Sequence, residues 1–66
     1  MTAPFAPGMF DVVAVNIETR RIQVLERNLT IRDADAYVKM AVMRRGCKEE
    51  FFVRAKSGRY QDGDIR

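Results

Sequence analysis

A helix start and a helix stop, set one ordinary helix length apart, constrain this chain more than any other feature. Thr30 is a good N-cap residue, and Asp33 stands three positions on. There an acid can reach back in the manner of a capping box and also meet the positive end of the helix. Leu29 and Ala34 occupy the positions of a hydrophobic staple. Arg44 and Arg45 fall where cations are favoured, and Gly46 suits the left-handed residue that ends a helix. The spacing predicts one helix over 31–45. At 3.6 residues per turn, Ala34, Val38, Ala41 and Val42 form its inner stripe, with Ile31 and Tyr37 at the margins.

The flanking segments have a different period. Residues 10–17 carry Val12, Val13, Val15 and Ile17, branched side chains that fit a pleated strand better than a helix. Apolar residues stand at both parities, so this strand belongs in the middle of a sheet. Residues 21–27 form a second strand with Ile22, Val24 and Leu25. The turn between them lacks an Asn-Gly or Asp-Gly pair, which favours a four-residue loop. Val15 then lies opposite Ile22, and Val13 opposite Val24. Residues 49–55 form a third strand, in which Phe51, Val53 and Ala55 alternate with Phe52 and Arg54.

These elements give an α+β domain of order ββαβ. It is a three-stranded antiparallel sheet, order 2-1-3, with one helix packed on one face. The domain is expected over 9–56. Residues 1–8, with two prolines and a glycine, read as a flexible lead-in, and the polar residues 57–66 as a flexible tail.

Staples are lacking. Sixty-six residues bury little surface, and chains of this size usually need a disulfide, a metal or a partner. Cys47 is the only cysteine and there is no histidine, so neither a disulfide within the chain nor a tetrahedral zinc site is expected. The patterning points to a partner instead. Val13, Val15, Ile17, Ile22 and Val24 make one apolar face, expected beneath the helix. Phe10, Val12, Ala14, Leu25 and Phe52 are expected on the face away from it. Ala36, Met40 and Met43 form an apolar stripe on the outer side of the helix. A second copy is the simplest cover for such surfaces, so a homodimer is expected, with another protein partner as a variant of that reading.

Catalysis is not expected. The usual general base is missing with histidine. Cys47 follows a helix C-terminus, whose partial negative charge opposes thiolate formation. Asp33 and Asp35 diverge on the helix, Glu49 and Glu50 on a strand, and Asp62 with Asp64 lacks the ligand count of a cation loop. No cofactor or metal is expected. The net charge is +3 and nine of the twelve basic residues are Arg. Arg20 and Arg21 at the hairpin tip and Arg44, Arg45 and Lys48 at the helix end could form one basic edge, so a nucleic-acid accessory protein is the alternative reading. Acidic residues interleaved with these bases favour an ordinary mixed surface. No apolar run spans a bilayer and no secretory signal is legible, so a cytoplasmic protein is expected. The sequon at Asn28-Leu29-Thr30 is then a coincidence.

Overall fold

A computed structural model describes residues 9–66. The expected lead-in 1–8 lies outside the described residues. The elements are β1 (Phe10–Asn16), β2 (Ile22–Leu29), α1 (Ile31–Arg45) and β3 (Glu50–Lys56). The sheet is antiparallel with order β2-β1-β3, and α1 packs on it, as the sequence predicts.

Both helix caps form. The Asp33 amide donates to Thr30 Oγ1 at 3.1 Å. Gly46, at φ 75°, donates its amide to the Val42 carbonyl. The hairpin loop spans four residues, closed by Asn16 N–H donating to the Arg21 carbonyl. Asn16 Oδ1 accepts from the amides of Glu18 and Thr19, which shapes the turn. Val15 therefore pairs with Ile22, and Val13 with Val24. Ile17 falls in the loop and is exposed, so it does not extend the apolar face as expected.

Two irregularities break the β1–β2 ladder. Leu25 is an extra residue between the pairs Val13–Val24 and Val12–Glu26. Arg27 and Asn28 together oppose Asp11, with Asn28 at φ 61°. Both are β-bulges, and they sharpen the local twist.

The side of the sheet that α1 occupies is a correction. Val12 and Ala14 are buried, and they share a face with Gln23, Leu25, Glu50, Phe52 and Arg54. That is the helix face. Arg54 pairs with Asp35, Arg45 pairs with Glu50 and reaches Gln23, and Leu25 lies with Tyr37, Met40 and Ala41. The sequence could not separate the two faces because both are apolar. Size decides between them. The helix buries Ala34 and Ala41, which permit close approach to the flat surface of Ala14 and Val12.

The opposite face carries the bulkier cluster of Val13, Val15 and Ile22, with Val24, Phe51, Val53 and Tyr60 packed against it. Its cover is a second correction. Residues 57–66 are not a free tail. They cross this face, where Tyr60 lies on the cluster and the Arg66 guanidinium stacks over Phe51. The segment then binds the outer edge of β2, so the domain extends through 66.

Candidate functional site

Among the described residues, no group of three or more His, Cys, Asp or Glu side chains is placed to hold a metal ion, and no helix is long and apolar enough to cross a membrane. Cys47 is exposed beyond the helix end. The sites worth weighing are therefore surfaces, together with one buried charge.

That charge is Asp11, which sequence reasoning passed over. Its side chain is 2% exposed within the otherwise apolar run of β1. Burial alone would raise the carboxyl pKa. Amide hydrogen bonds from Gly58 and Asn28, the Arg27 guanidinium and the Ser57 hydroxyl outweigh that, and hold it below its ordinary value. The contacts lie between 2.9 and 3.3 Å. Asp11 thus ties the second bulge of β2 to the turn after β3. The legible signal was an acid one residue into a strand with apolar residues at both parities.

The expected association surface divides. Val12 and Ala14 are buried under the helix, and Phe10, Leu25 and Phe52 are half-buried on the same face. They do not form an open surface, because the helix occupies it. Ala36, Met40 and Met43 do face outward, with Met40 51% and Met43 85% exposed. Met40 also borders the cleft that holds Leu25, so the stripe meets the sheet residues only at that point.

The two edges of the sheet differ. On β2, residues 62–66 satisfy the outward groups of Ile22 and the Val24 amide, and beyond them the two bulges break the edge. Ile22 donates to the Asp64 carbonyl and accepts from the Gly63 amide, Arg20 accepts from the Arg66 amide, and Val24 donates to Asp62 Oδ1. This is the work of Asp62, and Asp64 Oδ2 in turn accepts from the Gln61 amide. On β3, Ile17 donates to Glu49 and Ser57 to Met9. The alternation of an antiparallel ladder then turns residues 49, 51, 53 and 55 toward β1, and the amides and carbonyls of Glu50, Phe52 and Arg54 outward. Among the described residues no backbone group pairs with them, although the Lys56 carbonyl accepts from Arg59. Half-buried Phe51, Phe52 and Val53 lie along this edge.

The helix leans toward the open edge, since it packs on β3 and β1 more than on β2. Ile31 and Val42 lie within about 40° of Asp35 on the helical wheel, on the flank that meets Arg54. Both are exposed.

The basic residues gather in part. Arg21 lines a concavity of about 520 Å³ with Asn16, Gln23, Glu50 and Asp62. Arg45 and Lys48 line the next one, which shares Asn16 and Glu50. The hairpin tip and the helix end therefore stand at one end of the molecule. Arg44 turns away, into a cleft with Leu25 and Tyr37. The charge is not free, because Arg45 Nε lies 2.7 Å from Glu50 Oε2, and Glu49 and Asp62 line the same hollows. No protein-family model matches this chain, and no curated protein or solved structure matches it.

Proposed function

We propose that this chain is a non-catalytic interaction module that associates with itself, and that its working surface is the outer edge of β3 with the adjoining flank of α1. The asymmetry of the two edges carries this reading. A strand edge with unpaired amides and carbonyls and apolar side chains is a template for another strand, and monomeric proteins usually blunt such edges. Residues 62–66 cover the β2 edge at Ile22 and Val24 and two bulges break the rest of it, whereas β3 keeps an unbroken open edge from residue 50 to residue 54. Exposed Ile31 and Val42 beside that edge add apolar area. A cytoplasmic location belongs to the same reading, supported by the unpaired, exposed Cys47.

Sedimentation velocity from about 1 to 100 µM, a range that brackets the micromolar affinities of modest interfaces, tests the reading. A concentration-dependent shift from monomer to dimer is expected, and a monomer throughout would overturn it. A second reading, nucleic-acid binding, draws on the meeting of Arg20, Arg21, Arg45 and Lys48 at one end of the molecule. Its test is a titration with mixed DNA and RNA at low and moderate salt. Binding that weakens with salt supports it, and no binding at low salt removes it.

A further inference from the structure

We infer that two copies of this chain join β3 to β3 in antiparallel fashion about a two-fold axis at Phe52, making one six-stranded sheet with both helices on the same face. The inference deepens the proposed self-association and rests on it. The backbone sets the parity. Glu50, Phe52 and Arg54 carry the outward amides and carbonyls, so an antiparallel partner strand must pair even-numbered residues with even-numbered ones. An axis at Phe52 places Phe52 opposite the partner's Phe52, and Glu50 opposite the partner's Arg54.

Free backbone groups and side chains together select this register, since an axis at Val53 would pair Glu50 with the partner's Lys56, whose carbonyl already accepts from Arg59. With the axis at Phe52, Glu50 meets the partner's Arg54 twice in the dimer, and the Arg45–Glu50 and Arg54–Asp35 pairs within each chain extend into alternating charge rows across the seam. On the other face, Phe51 meets the partner's Val53, an aromatic and β-branched combination of the kind that stabilises cross-strand pairs. Moving the axis to Arg54 would put Arg54 against the partner's Arg54. Moving it to Phe51 would put Glu50 against the partner's Phe52, a charge facing an aromatic ring.

The helices agree with the arrangement. An axis through a hydrogen-bonded antiparallel pair stands perpendicular to the sheet, so both helices emerge on one side. Each lies over the β1–β3 half of its own sheet. With strands about 4.8 Å apart, the two helix axes come within about 10–12 Å, close to the spacing of packed helices. The flanks that face each other across the seam carry Val42.

Sedimentation equilibrium in reducing buffer, which keeps Cys47 out of the measurement, reads the register through charge. Glu50→Arg or Arg54→Glu alone places like charges opposite one another and should weaken the dimer about tenfold or more. The double variant Glu50→Arg/Arg54→Glu restores the cross-strand pair but sets like charges against Arg45 and Asp35 within each chain, so it should recover part of the loss and associate more tightly than either single variant. Arg54→Pro removes an outward amide that bonds nothing in the monomer, and should abolish association while the chain stays folded. Amide hydrogen exchange on the unaltered chain gives an answer that no variant can disturb. Protection at Phe52 and Arg54 should rise with protein concentration. A dimer in which these amides stay unprotected, or in which both single swaps associate like the parent, overturns this pairing and leaves self-association standing. A parent that stays monomeric overturns both.

Discussion

Asp11 shows how one charge can be tolerated inside a small core. Its carboxylate accepts from two amides, a guanidinium and a hydroxyl, so its ionised form is better solvated by the fold than burial would suggest. The folded state therefore holds this proton less tightly than the unfolded chain does. Its contribution to stability is complete above the ordinary carboxylate range, and it is lost as pH falls through the depressed pKa. An acid titration of the melting temperature should show that loss in the parent. In Asp11→Asn that part of the acid dependence should vanish. An amide cannot accept all four donors, so Asp11→Asn should also cost about 1–3 kcal/mol near neutral pH, read from urea unfolding. The sequence held a hint of this. An acid flanked by Phe10 and Val12 in a strand that must be central is out of place unless donors meet it. What it could not show was the source of those donors, because Asn28 and Gly58 arrive from distant parts of the chain.

At the scale of elements, the helix was the most legible part, because its signals are local. Thr30, Asp33, Arg45 and Gly46 lie close together in sequence and act within one turn of either end. Thr30→Ala should cost about 1 kcal/mol in thermal or urea unfolding. Gly46→Ala should cost about 1–3 kcal/mol, because φ 75° with ψ −177° is a conformation essentially restricted to glycine, although a methyl group there meets open space. The hairpin register was legible for a related reason: shifting it by one residue would mix Val13, Val15, Ile22 and Val24 between the faces. The helix side was not legible. Each face offers enough apolar area, and the choice rests on the fit of Ala34 and Ala41 to Ala14, which is a matter of shape rather than of pattern. The edges escaped for another reason. Whether a strand's outer amides are free depends on what else reaches them, and here the answer lay in residues 62–66.

For the whole molecule, the segment 57–66 is part of the fold, and its composition concealed this. It is polar and rich in glycine, with no apolar period, and its one large ring, Tyr60, lands on the bulky face of the sheet. Its hydrogen bonds are made by backbone groups and by the polar side chains of Ser57, Gln61, Asp62 and Asp64, which leave no hydropathy signature. A domain of this size has only about 3–10 kcal/mol of stability to lose. Tyr60→Ala should remove about 2 kcal/mol of it. Deleting residues 58–66 should do more, by uncovering Val13, Val15 and Ile22 and freeing the edge of β2 at the same time. Loss of a cooperative melt, with precipitation on concentration, is the expected outcome, and an unchanged melting temperature would show that the segment contributes nothing.

The cover that Tyr60 gives β1 also sets an order in time. The ribosome makes residues 11–15 long before residues 60–66, and in the interval the bulky face of β1 has no lid. The hairpin can form early, and the helix can follow on its own caps, but the sheet stays open on one side until the later residues emerge. Until then the β2 edge at Ile22 and Val24 is as bare as that of β3, and the nascent chain is open to its neighbours on a polysome along both.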